Sequence, residues 1–382
     1  MRIIILGADG YVGWPLAMYL ATLGHEVVAI DNYLRREITK ISGSNTMFDN
    51  PDLSVRSKLF LEETGLNIHV EIGDITNINF VEDLIKRIKP KAIVHAAEQP
   101  SAAYSMQGRD EAKNILTNNI EVTFNTIWGA IQYAPDCHLI KIGSIGEYGI
   151  PDVAIENGWL KLSDKDKKPQ KFLFPREGDS IYHVSKSMSS QLLLFYSRKY
   201  GLRCSNLMQG IIYGMQTPQT TLNEKLMPNL YYDCVFGNVI NRFMAQSIVG
   251  LPLTVYNSGS QFRCYQNLVD TLKCIEYSVD NPARKGEVKI HNQYSEIYSA
   301  IDIANKVQKA AGEMDISVSI SSDEHFKEER QANNYEIKKT QFSDMGILPT
   351  LLNSELLISE LKIIQKYKDN ILLNRLTMQI AN

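Results

Sequence analysis

The apolar and polar positions of the first 210 residues fall into short alternating blocks. Ile3-Ile4-Ile5-Leu6 is a continuous apolar run, as expected of a parallel strand buried on both faces. A helical pattern follows over about 11–23, and Glu26-Val27-Val28-Ala29-Ile30 makes a second strand ending at Asp31. The alternation continues with a strand at 67–71 and a helix at 78–88 closed by Pro90. Next come a strand at 92–95, a long helix over about 110–133, a strand at 137–142, a helix running to about 200, and a strand at 203–207. Two insertions interrupt it. Residues 37–66 are polar and helix-compatible, while 151–177 carry Pro, Trp and charges and read as a flap over a site. After Gln209-Gly210 the alternation breaks. Later strands are expected at 251–256 and 287–291, with helices at about 266–279, 300–311 and 354–368.

Between the first strand and the helix lies Gly7-Ala8-Asp9-Gly10-Tyr11-Val12-Gly13. Glycines there permit a tight turn, close approach of backbone to a pyrophosphate, and close helix–strand packing. The helix N-terminus then aims free N–H groups at the anion. The strand before, the helix after, and a carboxylate at the end of the next strand are the context a dinucleotide site requires. Pro15 falls near the first turn, where its missing N–H costs little. Asp31 would accept from both adenosine ribose hydroxyls and repel a 2′-phosphate, so NAD is expected rather than NADP. Arg35 and Arg36 are near enough to accommodate such a phosphate, or else to cover the adenine or contact the pyrophosphate. Asp74 and Ile75 place a carboxylate and an apolar residue where an adenine could be held. His95 reads as a strand-end histidine with its bonds satisfied. The fold class is therefore α/β, a Rossmann-type doubly wound parallel sheet with a smaller, discontinuous C-terminal subdomain for substrate. Residues 1–209 form the cofactor domain, with returns near 238–256 and 266–294; 210–237, 257–265 and 295–382 form the subdomain.

Composition narrows the partners. With 382 residues, 44% hydrophobic and 22% charged, and a net charge of −3, the chain has neither a basic surface for nucleic acid nor a bias toward an anionic membrane. The five cysteines are an odd count without a C-x-x-C pair, which excludes a disulfide frame or zinc site and suggests reduced thiols in the cytoplasm. No metal is expected. No apolar run approaches membrane-spanning length, and the N-terminal apolar run is too short for a signal peptide.

The chemistry-bearing stretch is Tyr182-His183-Val184-Ser185-Lys186, together with Ser144. Tyr182 and Lys186 share a helical face. To act as a base near neutrality Tyr must shift by roughly 3 pH units, or about 4 kcal/mol. One cation about 4 Å away at an effective dielectric near 20 supplies about 4 kcal/mol, so Lys186 would suffice. Ser144 would hold the oxygen that Tyr182 deprotonates. An ordinary exposed Tyr/Lys pair has the same spacing, so the pair by itself leaves both readings open.

Taken together, the glycines at 7–13, Asp31, Ser144 and the Tyr182/Lys186 pair resemble the extended short-chain dehydrogenase/reductase superfamily. Within it, residues 1 to about 345 resemble the UDP-sulfoquinovose synthase family. The stretches that carry this include Asp31-Asn32 with Arg35-Arg36, Glu98-Gln99 with Tyr104-Ser105-Met106, Gly143-Ser144-Ile145-Gly146-Glu147-Tyr148-Gly149, Gln209-Gly210, and Val235-Phe236-Gly237 with Asn241-Arg242-Phe243. The resemblance implies NAD as cofactor and UDP-glucose and sulfite as substrates. It implies oxidation at carbon 4 by Tyr182 with Lys186, loss of the carbon-6 hydroxyl as water, sulfite addition and hydride return. Glu147 is the expected acid or base of the elimination, with His183 the weaker candidate. Asn32, Asn118, Gln209 and Ile212 are further cofactor contacts. Gln99, Gln209, Asn241, Arg242, Gln261, Arg263 and Arg330 are expected on the sugar nucleotide, the arginines because their fork suits phosphate.

The chain departs from the family pattern at Ile145 for Met, Pro100 for Arg and Val122 for Gly. Dehydratases of the superfamily carry Asp-Glu after the Ser/Thr, where Ile145-Gly146 stands, which disfavours a 4,6-dehydratase. A 4-epimerase competes with the synthase, as does a non-catalytic NAD-binding protein, although such proteins generally lose the Tyr or the Lys. A homodimer through the helices at 110–133 and 180–200 is also implied, with Ile115, Phe124, Ile127, Leu192, Leu193 and Phe195 as apolar candidates.

Overall fold

Seven parallel strands make the central sheet, in the order Val288–Gln293, Arg203–Gln209, His138–Ser144, Ala92–His95, Arg2–Leu6, Glu26–Asp31, His69–Ile72. The computed structural model describes residues 1–151, 153–163, 168–323, 336–339 and 342–377. Ile3, Ile4 and Ile5 are wholly buried because helices cover both faces of the sheet. Ile4 and Leu6 pack with the helices Ile78–Ile88, Arg109–Tyr133 and Ile181–Tyr200. Ile3 and Ile5 pack on the other side with Gly13–Thr22, Leu53–Thr64 and Leu268–Asp280. The strand order turns back between Arg2–Leu6 and Ala92–His95, which opens a crevice at their carboxyl ends.

The expected strands and helices of the first 210 residues are present, with ends shifted by a residue or two. The polar insertion at 37–66 does more than its composition suggests. Leu53 and Phe60 join the sheet core, while Met47 and Phe48 join a second core. That second core is built on the helices Val239–Ile248, Ala300–Gly312 and Ser354–Lys366. The strand Leu253–Tyr256 pairs in parallel with Ile320–Asp323 there. Residues 238–256 therefore lie in the second layer rather than returning to the central sheet, whereas Val288–Gln293 does join it. A three-stranded sheet of Ile211–Tyr213, Phe262–Asn267 and Glu296–Ser299 links the layers.

Among its described residues, the insertion at 151–177 is not a flap over the crevice: none of them lines the cavity. Trp159–Leu162 and Gln170–Leu173 form an antiparallel hairpin. Gly158 lies against Ile290, and Asn157 Oδ1 accepts from Asn292 N at 2.8 Å, so the segment covers the outer edge strand of the sheet. Covering an edge removes an exposed row of ladder groups.

Candidate active site

Between the two layers lies a cavity of ≈ 560 Å³. Its floor is the glycine turn. Gly7 has φ +84°, and a Cβ there would sit 2.6 Å from Ala96 O; one on Gly13 would sit 2.1 Å from Gly7 O. Only bare backbone fits, so the turn presents N–H groups to the cavity. The expected Asp9, Gly10, Tyr11 and Val12 all line it. The Tyr11 hydroxyl donates across the layers to Gly214 O. Next to Gly214, Met215 N donates to the fully buried Glu360 at 2.8 Å, whose carboxyl burial pushes up to about 7.

Asp31 also lines the cavity. One of its oxygens accepts from Asp9 N at 2.8 Å and the other from Tyr33 N at 2.7 Å. Burial, and then the Asp9 charge, push its carboxyl up to about 6 against those hydrogen bonds. Arg35 and Arg36 separate. Arg36 turns away from the cavity and holds Asp9 through Nε and Nη2, each at 2.6 Å, with Arg56 Nη1 3.5 Å from the same carboxylate. Arg35 faces the cavity, its guanidinium over the rings of Tyr231 and Phe236 at 4.7 and 4.5 Å, with Nε and Nη1 making no hydrogen bond. Asn32, Ile75, Asn118 and Ile212 line the cavity. Asp74 does not; it is exposed, and its Oδ1 accepts from Thr76 N and Oγ1 at 2.9 and 2.8 Å.

Ser144, Tyr182, His183 and Lys186 line the same cavity. Ser144 ends its strand and caps the following turn: its Oγ accepts from Gly146 N at 3.1 Å and its N donates to Glu147 at 3.2 Å. Ser180 caps the next helix and starts it where Tyr182 and Lys186 project inward. The amide of Asn119 ties that helix to the loop below, accepting from Gln99 N at 2.8 Å and donating to Ser185 Oγ at 3.0 Å.

The Lys186 ammonium is 5.7 Å from the Tyr182 ring centroid, and it is engaged elsewhere. It donates to the Glu98 carboxylate and to Ile142 O, the latter at 2.6 Å. Tyr182 is accordingly not made more acidic. Burial, then the Glu98 and Glu147 charges, raise its pKa, and Arg35 only partly opposes them. The simple Coulomb expectation fails because it leaves out burial and the carboxylate that shares Lys186.

Glu147 is placed differently from its expected role. It is fully buried and does not line the cavity. Arg176 and Ser190 Oγ (2.7 Å) donate to one oxygen, and Lys141 Nζ is 3.5 Å from the other. With both oxygens engaged, it is a buried ion-cluster member rather than a group open to substrate. His183 is better placed. Its Nδ1 lies 2.6 Å from Asp179 Oδ1, and both residues line the cavity. A Cβ on Gly146 would sit 2.2 Å from His183 Nε2, so the glycine is what lets the ring lie over the Ser144 turn.

Among the expected substrate residues, Gln99, Gln209, Asn241 and Arg263 line the cavity. Arg242 does not. It is buried in the second layer against Tyr256, donating to that hydroxyl and to Thr254 O at 3.0 Å. Gln261 does not line the cavity either, and Arg330 lies outside the described residues. Sequence reasoning gave no role to Glu98, Lys141, Arg176 or Asp179. Lys141 had a signal, as the charged residue inside the apolar strand run 137–142.

A tight glycine turn, a carboxylate at the end of the second strand and a Ser/Tyr/Lys set around one cavity fit a dinucleotide-dependent enzyme of hydroxyl groups. The chain belongs to the NAD dependent epimerase/dehydratase family, whose sequence pattern matches residues 3–292, and NAD is its cofactor. Two relatives narrow this to the UDP-sulfoquinovose synthases. It is 38% identical to the UDP-sulfoquinovose synthase of Sulfolobus acidocaldarius over 91% of this chain and 88% of that protein. It is 35% identical to the chloroplastic UDP-sulfoquinovose synthase of Spinacia oleracea over 97% of this chain and 77% of that protein. The solved UDP-glucose 4-epimerase of Thermotoga maritima shares the fold, with a TM-score of 0.69 at 16% identity, covering 96% of this chain and 99% of that one.

Proposed function

We propose that the chain makes UDP-sulfoquinovose and water from UDP-glucose and sulfite. The observation that carries this is the convergence of Ser144, Tyr182 and Lys186 with the His183–Asp179 pair around a cofactor-sized cavity, in a chain of this kinship. NAD held in the cavity would supply the hydride acceptor for carbon 4 and the hydride given back at the end of the cycle. Tyr182 takes the proton of the 4-hydroxyl while Ser144 holds that oxygen. The 4-keto group acidifies the carbon-5 proton. His183, held by Asp179, removes that proton and donates one to the departing carbon-6 hydroxyl, which leaves as water. Bisulfite then adds through sulfur to carbon 6 while its proton passes by way of His183 to carbon 5, and as hydride returns to carbon 4 Tyr182 gives its proton back to the carbon-4 oxygen. Gln99, Gln209, Asn241 and Arg263 hold the sugar nucleotide. Asp31, the 7–13 turn, Asn32, Arg35, Ile75, Asn118 and Ile212 hold the cofactor.

Mass spectrometry of UDP-glucose incubated with the NAD-loaded enzyme tests this. A sulfonated sugar nucleotide formed only with sulfite is the expected result. Accumulation of UDP-galactose without sulfite would point to a 4-epimerase instead.

The working unit is a homodimer in the cytoplasm. Phe124, Trp128, Tyr196 and Tyr200 form a ladder of ring contacts across the two long helices, and Phe124 and Phe195 are 39% and 57% exposed. Ile115, Ile127 and Leu193 point into the protomer instead. Five free cysteines support a reducing compartment. Among the described residues no helix is long and apolar enough to cross a membrane.

A further inference from the structure

Beside Ser144 and Tyr182 lies a cluster of buried charges in which only Lys186 has a part in the proposed reaction. Two carboxylates, Glu98 and Glu147, face three cations, Lys141, Lys186 and Arg176, all nearly or wholly buried. Glu98 differs from Glu147 in touching both the cluster and the cavity. It lines the cavity wall, and its two oxygens are shared between different partners. One takes the Lys186 ammonium. The other accepts from Ser189 Oγ at 3.0 Å and lies 3.5 Å from Thr123 Oγ1. Thr123 is in turn 2.9 Å from the buried His95 ring. The direct contacts come from the 109–133 and 181–200 helices, so two elements fix one carboxylate, and His95 at the strand end backs it through Thr123. Burial alone would push Glu98 up, but the Lys141 and Lys186 charges, with His95, outweigh it and hold it near 2. It stays ionised throughout the working range.

We propose that Glu98 is a positioning residue for the reaction: it clamps the Lys186 ammonium against Ile142 O and so governs how readily Tyr182 releases and recovers its proton. This rests on the role given to Tyr182 above. A base that must take a proton at the start of a cycle and return it at the end gains nothing from extreme acidity. Sharing the Lys186 charge with a fixed carboxylate restrains the tyrosinate from becoming too stable to give the proton back. The same clamp gives Lys186 one geometry, since Ile142 O and Glu98 together set its direction. The other groups facing Tyr182 are Arg35 from the 34–41 helix, Glu147 from the Ser144 turn, Tyr104 and Tyr231 from the packed cluster around it, and His183 and Asp179 beside it. Glu98 is the one among them that also contacts Lys186.

The test compares Glu98→Gln and Glu98→Asp with the parent chain, each loaded with NAD. Two readouts are taken: tyrosinate absorbance against pH, corrected with the Tyr182→Phe chain, and the acid limb of the pH–rate profile. Removing the carboxylate charge frees Lys186 and removes a repulsion from the tyrosinate. Both readouts should move to lower pH, most for Gln and less for Asp, whose shorter side chain draws back from Lys186. On the acid limb, Glu98→Gln should keep about tenfold more of its own plateau rate than the parent keeps of its own. Where Glu98→Gln does not fold, Glu98→Asp carries the comparison alone. A fall in rate at every pH with an unmoved limb, or a limb that moves upward, overturns the proposal. The tyrosinate titration needs no sugar. A parent enzyme that forms no sulfonated sugar would therefore remove the substrate reading while leaving this result intact.

Discussion

Arg36 grips Asp9 through two parallel bonds of 2.6 Å, and Asp9 in turn donates its backbone N–H to Asp31 at 2.8 Å. Arg36 is thus a brace for the glycine turn, its donors taken up by Asp9, Asn50 O and Pro51 O rather than turned to the cavity. Arg36→Ala should weaken NAD binding by about tenfold, the loss of one charge-assisted contact, without any gain in NADP binding. Titration of the stripped protein with each cofactor checks this.

Asp31 links cofactor binding to pH. Its carboxyl is pushed up to about 6, and in the role proposed for it the ribose hydroxyls would donate to its ionised form. NAD affinity should therefore be full above pH 6 and fall as pH drops through that value, by about tenfold for each further unit. Binding measured at pH 5 and pH 7.5 reads the difference. Asp31→Asn should bind NAD weakly at both and lose the slope.

Glu147→Gln tests whether that carboxylate reacts or only holds. The change leaves Arg176 and Lys141 without their buried counter-charge, which costs about 3–5 kcal/mol. A clear fall in Tm is expected, measured by calorimetry. An unchanged Tm with turnover abolished would return Glu147 to direct chemistry.

Gly146→Ala should push the His183 ring off the Ser144 turn, because the new methyl would sit 2.2 Å from Nε2. Hydride transfer at carbon 4 needs Tyr182 and should survive. Exchange of the carbon-5 proton with deuterated water should fall by about a hundredfold or more, the contribution of one acid–base group. Equal loss of both steps would show that His183 does not act at carbon 5.

Phe195→Glu places a charge on the most exposed ring of the long-helix pair. Light scattering should show a dimer for the parent and a monomer for the variant, since a buried unpaired carboxylate opposes association.

The sheet was legible because parallel strands buried on both faces leave uninterrupted runs such as Ile3-Ile4-Ile5-Leu6, and because Gly7 and Gly13 sit where a Cβ would strike backbone. That Tyr182, Lys186, Ser144 and Asp31 line one cavity was legible from spacing and strand ends. What spacing does not carry is which way a charged side chain turns. Arg35 and Arg36 are neighbours, yet one faces the cavity and the other a carboxylate behind it. Arg242 and Glu147 sit in cavity-like sequence surroundings but point into the second core and an ion cluster, because Tyr256 and Arg176, distant in sequence, claim them. The 151–177 insertion was misplaced for a similar reason. Its destination is set by the bare edge of Val288–Gln293, more than a hundred residues later.

The bond from the Tyr11 hydroxyl to Gly214 O, with Glu360 capping the next backbone N–H, bears on how the chain can be divided. The seat of the cofactor loop is built partly by a residue of the Ser354–Lys366 helix. A fragment cut before that helix keeps every residue of the parallel sheet but loses the carboxylate that holds the 214–215 turn in place. The parallel-sheet layer and the second layer are thus not separable modules. Grafting either onto another scaffold requires that the far end of the chain travel with it.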